Sequence, residues 1–304
     1  MIDPTLSLAI SVSSNKGIYA LLLGSGISRS AGIPTGWEVV VDLVNTLAQL
    51  QGEAGEPDPV GWYKETFGEE PNYSQLLDSL AKSPSERNQL LRRYFEPSEM
   101  EREQRLKVPT AAHRAIAELV ANGSIRVILT TNFDRLMEQA LEAAGIVPTV
   151  ISTPDAVEGA LPLAHTRCTI IKLHGDYLDI RIKNTPDELE RYDPRFNTLL
   201  DRIFDEYGLI VSGWSAEWDS ALRTAVERCR GHRFTTYWVT RGEPAEAAKR
   251  LITLRRGVVI TARDADAFFV ALAEKVTALE EMNRPHPLSA KVAIAAKPGS
   301  TLSD

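Results

Sequence analysis

Cysteine is nearly absent from this chain of 304 residues; Cys168 and Cys229 are the only two, and they lie far apart. A zinc ribbon takes four ligands, usually as two close pairs, so none is expected here and no metal site is predicted. So few thiols fit a reducing compartment, and the expected location is cytoplasmic. Long hydrophobic runs are also missing. None approaches the roughly 20 residues of a membrane helix, and no basic segment followed by an apolar stretch opens the chain, so neither a membrane partner nor a signal peptide is expected. Positive charge is in deficit, with 34 Lys and Arg against 41 Asp and Glu for a net charge of −7. That argues against a broad basic face, and no direct nucleic-acid binding is expected. A local arginine cluster remains at Arg87, Arg92, Arg93, Arg102 and Arg105.

What is present is ordinary for a globular chain, 43% apolar and 25% charged residues. Short apolar runs at 18–23, 126–130, 147–151, 169–173, 208–211, 235–239 and 258–260 read as strands. Helical spacing marks 37–50, 133–144, 195–207, 218–229, 244–254 and 265–282. Alternation of this kind predicts an α/β fold, a Rossmann-like parallel sheet with helices on both faces. One region breaks it. From about 51 to 108 the sequence turns polar and helical, introduced by Gly52, Gly55, Pro57 and Pro59 and closed by Pro97 and Pro109. It reads as a small inserted helical module whose apolar face is Leu76, Leu77, Leu80, Leu90, Leu91 and Tyr94. A single catalytic domain is expected over 1–284, with a tail or linker over 285–304.

Four polar segments follow predicted strands. Gly24-Ser25-Gly26-Ile27-Ser28 is a glycine turn that lets backbone N–H groups approach a diphosphate, with the Ser25 and Ser28 hydroxyls as further donors. Arg29 stands where a dinucleotide fingerprint has its third glycine, so the turn alone is a weak match. Thr131-Asn132-Phe133-Asp134 supplies an amide that donates and accepts at once, and a carboxylate. Either residue also suits the start of the helix that follows. His174, after an Ile-Ile-Lys-Leu strand and before Gly175, is an imidazole able to take a proton near neutral pH. Ser212-Gly213-Trp214-Ser215 and Thr240 end later strands, as ligand contacts or as simple turns. Asp219 reads as a helix N-terminal carboxylate, and Trp37, Trp214 and Trp218 as pocket wall or core.

Gly24-Ser25-Gly26-Ile27-Ser28 with Ala31-Gly32-Ile33-Pro34 resembles the opening motif of the sirtuin family. Thr131-Asn132-Phe133-Asp134 is similar to its asparagine motif, Lys172-Leu173-His174-Gly175 to its histidine–glycine segment, and Ser212-Gly213-Trp214-Ser215 to its ribose-binding turn. The four stand in the family's order. The resemblance implies an NAD-binding Rossmann core. Gly24, Ser25, Gly26, Ser28, Pro34, Thr131, Asp134, Ser212, Gly213, Ser215 and Thr240 are then the expected cofactor contacts, and Asn132 and His174 the catalytic pair. Asp134 resembles the family aspartate that contacts the nicotinamide amide.

Three departures bear on the substrate. The four-cysteine zinc module is missing, Thr35-Gly36-Trp37-Glu38 replaces the arginine after isoleucine–proline, and Thr131 replaces a glutamine. With isoleucine–proline–threonine–x–tryptophan and no zinc, the chain resembles bacterial sirtuin-like NADases of antiphage defence. That implies hydrolysis of NAD, as substrate and without a metal, to nicotinamide and ADP-ribose. It also implies activation by homo-oligomerisation or by a separate sensor, such as an Argonaute-like protein or an ATPase. The alternatives from the same motifs are an NAD-dependent protein deacylase or ADP-ribosyltransferase, and a non-catalytic module that senses NAD or ADP-ribose.

Overall fold

The structure, a computed structural model, describes residues 3–53, 57–179, 190–229 and 231–283. Seven strands, β1 (Tyr19–Leu23), β2 (Ile125–Thr130), β3 (Thr149–Ile151), β4 (Thr169–Lys172), β5 (Gly208–Ser212), β6 (Thr236–Thr240) and β7 (Val258–Thr261), form one sheet. Every pairing is parallel, in the order β3-β4-β2-β1-β5-β6-β7.

The strand sequences explain why both faces are covered. In β1, Leu21 and Leu23 enter one core with Ile128 and Ile170, while Ala20 and Leu22 enter the other with Val127, Leu129 and Ile171. A strand apolar at every position cannot leave a face in water. The first face is covered by α1 (Pro4–Ser14), α7 (Ala111–Ala121) and α13 (Ala265–Met282). The second is covered by α10 (Pro194–Glu206), α11 (Ser220–Arg228) and α12 (Glu246–Leu254). Two short helices, α8 (Leu136–Ala143) and α9 (Pro154–Gly159), join the strands on the β2 side.

After β1 the chain forms α2 (Gly36–Leu50), α3 (Pro59–Phe67), α4 (Tyr73–Leu80), α5 (Pro84–Phe95) and α6 (Glu99–Glu103). A separate apolar cluster joins Val40, Leu43 and Val44 of α2 to Leu76, Leu77, Leu91 and Tyr94, with Leu80 and Leu90 partly buried against it. The expected apolar face of the insertion is thus in place, with α2 as its second wall. Its start is fixed by a reciprocal cap: Glu38 N–H donates to Thr35 Oγ1 at 3.4 Å, and Thr35 N–H to Glu38 Oε2 at 2.7 Å. The tail expected over 285–304 lies outside the described residues.

The sheet reverses its winding between β1 and β5, and such a crevice is where open α/β sheets bind ligands. The register aligns the strand ends there. Leu23 lies opposite Thr130 and Ser212, Thr130 opposite Lys172, and Ser212 opposite Val239. All four polar segments therefore leave the sheet along one edge.

Candidate active site

A cavity of about 990 Å³ opens along that edge. Ser25, Gly26, Pro34, Thr131, Asn132, Asp134, His174, Ser212, Gly213, Ser215 and Thr240 all line it. So do Trp37, Trp214 and Trp218; Trp37 and Trp218 are exposed and stack with ring centroids 6.2 Å apart at 14°, while Trp214 is buried.

The glycine turn is locked to the β5 turn. Gly24 N–H donates to Ser212 O and Gly26 N–H to Gly213 O, both at 3.0 Å. A Cβ on Gly24 would lie against Gly213 O and 2.6 Å from Trp214 Cα, and one on Gly26 would lie 2.8 Å from Gly213 Cα. Gly213 itself has φ +72°, a left-handed conformation that glycine adopts without strain. Gly24 is thus a packing residue beneath the cavity. Two further donors of the turn are used locally, Ile27 N–H on Gly24 O and Ser28 N–H on Ser25 O, each at 3.1 Å. Ser28, expected as a phosphate contact, is fully buried and donates to Asp134 Oδ2 at 2.8 Å. Its place under the loop makes it a support.

The asparagine loop does not begin a helix at 133, as its sequence predicts; α8 starts at Leu136. Asp134 Oδ1 accepts the Leu136 N–H at 3.0 Å, while Oδ2 accepts from Ser28 and, at 3.3 Å, from Asn132 Nδ2. Asn132 Nδ2 also reaches Ser28 Oγ at 3.2 Å. The amide is therefore oriented by its nitrogen, and its Oδ1 is buried without a partner among the described residues. Such an acceptor is costly unless something donates to it.

Lys172, at the end of β4, is fully buried beneath this loop. Its ammonium donates to Asp134 O at 2.7 Å, Phe133 O at 3.2 Å, Glu138 Oε1 at 3.1 Å and Asp176 Oδ2 at 3.0 Å. Burial pushes the Glu138 carboxyl above its usual range, against the pull of Lys172. This cluster ties the asparagine loop to the segment carrying His174.

His174 Nε2 lies 2.6 Å from Asp219 Oδ2. Tyr192 OH donates to the same oxygen at 3.0 Å, and Leu222 N–H to Oδ1 at 2.9 Å. Burial opposes ionisation of Asp219, but the charge and hydrogen bond of His174, with the Leu222 and Tyr192 donors, hold its carboxyl below the ordinary value. Burial and the neighbouring carboxylate push Tyr192 well above its own. Asp219 is thus the N-cap its sequence predicts and also a partner of the imidazole. The Phe133 ring lies 6.1 Å from His174 and 5.9 Å from Phe95 of α5. Asn88 of α5 donates to Tyr177 O at 2.8 Å and Asp179 O at 3.2 Å. The inserted module therefore braces both the asparagine loop and the segment that follows His174.

Elsewhere, Thr240 Oγ1 donates to Gly242 O at 2.9 Å within its own turn. Of the arginine cluster, Arg87, Arg92 and Arg93 pair with Asp78, Glu96 and Asp42. Among the described residues, no group of three His, Cys, Asp or Glu side chains is placed to hold a metal ion, and no helix is long and apolar enough to cross a membrane.

The profile of the SIR2-like domain family matches residues 126–260. Among solved structures, a Sir2 homologue in complex with ADP-ribose aligns at 18% identity and a TM-score of 0.50, covering 92% of this chain and 99% of that one. A Sir2 homologue complex with 2′-O-acetyl ADP-ribose aligns at 16% identity and a TM-score of 0.50, over 92% and 98% of the two chains. At such identities the likeness is one of fold. A search among curated proteins found no match. The domain match spans every site loop but the first, and the fold is shared with Sir2 homologues over 92% of the chain.

Proposed function

We propose that the protein hydrolyses NAD at the nicotinamide–ribose bond: NAD⁺ and water give nicotinamide, ADP-ribose and a proton. The observation that carries this reading is the shared cavity. Asn132, with its unpartnered Oδ1, and His174, backed by Asp219, both face it beside the glycine turn. Breaking the glycosidic bond develops positive charge on the ribose, and nicotinamide leaves neutral. The enzyme has to hold the sugar, place a water and take one proton. Asn132 Oδ1 accepts from that water or from a ribose hydroxyl. With Nε2–H donating to Asp219, the other ring nitrogen of His174 carries the lone pair that receives the proton. Asp134 orients Asn132 by accepting from its Nδ2 and stands beside the nicotinamide amide.

Scale supports the assignment. Neighbouring strands lie about 4.8 Å apart, so the edge from β4 to β6 spans about 19 Å, enough for an extended dinucleotide. Nicotinamide then lies over β4 and β2, the diphosphate over β1 and β5, and adenosine over β5 and β6 near Thr240. The motif resemblance to zinc-less defence NADases supports a role as an NAD-depleting effector in the bacterial cytoplasm, switched on by self-assembly or by a sensor chain.

Incubating the protein with NAD and following nicotinamide by chromatography tests the chemistry. Nicotinamide release is expected. None in any assembly state, with or without the products of neighbouring genes, would falsify it. Appearance of acyl-ADP-ribose or modified protein in place of free ADP-ribose would reassign the site to group transfer.

A further inference from the structure

The cavity has a charge problem. Six carboxylate residues line it, against two cationic side chains among the described residues, Arg29 and Arg241. A diphosphate brings further negative charge. The usual answer, backbone N–H groups of a glycine turn, is largely spent here, because the amides of Gly24, Gly26, Ile27 and Ser28 all donate within the protein. A side chain has to do what those amides cannot.

Arg241 stands beyond β6, where its charge acts on Asp264. Arg29 begins the short 3₁₀ turn Arg29–Ala31, immediately after the glycine turn, and lines the cavity there. Its guanidinium donates to Glu38 Oε1 at 2.7 Å. Glu38 is held from behind, since its Oε2 accepts from Thr35 N and Oγ1 in the α2 cap. Both members of the pair are partly exposed, 48% for Arg29 and 39% for Glu38, so the pair is weak and easily exchanged. A diphosphate offers more charge and a bidentate match to the guanidinium.

We infer that Arg29 is the diphosphate-binding residue of this site, held in readiness by Glu38 and transferred from that carboxylate to the ligand when a dinucleotide binds. The inference rests on the proposed NAD reading and sharpens it. Glu38 both aims the guanidinium and competes for it, so removing the Glu38 charge strengthens ligand binding.

Titration calorimetry with ADP-ribose and with adenosine, on the full chain, tests this. Arg29→Gln is expected to weaken ADP-ribose at least tenfold and leave adenosine unchanged. Arg241→Gln is expected to have a smaller effect on ADP-ribose. Glu38→Gln keeps a capping acceptor and is expected to tighten ADP-ribose about threefold, an effect that disappears when Arg29→Gln is added. Equal ADP-ribose affinity in wild type and Arg29→Gln overturns the inference, as does a larger loss in Arg241→Gln or weaker binding in Glu38→Gln. Should Arg29→Gln fail to fold, the Glu38→Gln titration decides alone. A wild-type chain that binds no ADP-ribose instead removes the functional reading beneath it.

Discussion

Asp219 serves two groups with one carboxylate: Oδ1 closes the first turn of α11, and Oδ2 holds His174. Asn caps a helix about as well as Asp, so Asp219→Asn separates the two roles. Turnover is expected to fall while the fold persists. His174→Ala and Asn132→Ala are each expected to lower kcat by about a hundredfold or more, with melting temperatures near wild type; a smaller loss in either would remove it from the chemistry. The lowered Asp219 pKa has a definite sign. The unfolded chain binds the proton more readily, so the stabilisation is complete above the ordinary carboxylate value of about 3.9 and is lost as pH falls below it. Urea melts of wild type and Asp219→Asn should therefore converge as pH drops through that range. A gap that widens in acid would mean that burial outweighs His174. Lys172 carries the largest expected cost. Lys172→Met strands the Glu138 carboxylate and two loop carbonyls, and denaturant unfolding should show a loss of about 3–5 kcal/mol. That Asn132 and His174 would lie at one edge of the sheet was legible in sequence, because both follow strand ends with distinctive neighbours. The partnership of Asp219 with His174, and the role of Tyr192, were not. A carboxylate before a helix has a sufficient local explanation, and nothing local points to a partner 45 positions away.

Among the elements, legibility followed the strength of the apolar pattern. The helix at 265–282 forms with the expected bounds, and each strand run contains a strand to within two residues. The helix expected from 133 begins three residues later, at Leu136, because Asp134 is drawn to Ser28 and cannot join the first turn. Helices α1 and α7 have no counterpart in the sequence reading. The serine-rich α1 lacks a bulky apolar stripe, while α7 carries Ile116, Leu119 and Val120 at helical spacing between alanines; both pack against α13 over the sheet. The glycine turn was legible as a turn but not as a lock. The amides of Gly24 and Gly26 are consumed by a segment far along the chain, and that interlocking gives a sharp test. Gly24→Ala forces a Cβ against the backbone of Gly213 and Trp214, whereas Gly36→Ala meets nothing within 4 Å. Gly24→Ala should lower the melting temperature and abolish ADP-ribose binding, and Gly36→Ala should change neither. Equal melting curves for the two would show that the turns separate freely. Asn88 probes the inserted module in the same way. Asn88→Ala leaves two carbonyls beyond His174 without their donor, and a fall in kcat with little change in melting temperature is expected if the module braces the loop.

At the scale of the whole molecule, the proposed ligand would act as a tie across the sheet. The cavity draws its lining from the ends of β1, β2, β4, β5 and β6, which pair side by side in the sheet, and from the inserted helices. A molecule bound along that edge stabilises the folded state by mass action, by about 2.7 kcal/mol at a hundred times its Kd. For a chain of this size each kcal/mol raises the melting temperature by roughly 2–4 °C, so saturating ADP-ribose should raise it by roughly 5–10 °C. In the proposed placement, adenosine would occupy only the β5–β6 end and engage neither Asn132 nor His174. At the same multiple of its own Kd it gives the same equilibrium shift, so the informative comparison is at equal concentration, where ADP-ribose should give the larger shift. Amide hydrogen exchange adds the spatial reading. ADP-ribose should protect the 131–134 and 174–177 segments together with the β5 turn, while adenosine should protect the β5 turn and leave the first two as they are in the free protein. Protection by ADP-ribose confined to the β5–β6 end would place the ribose away from Asn132 and His174, and the proposed hydrolysis would lose its site.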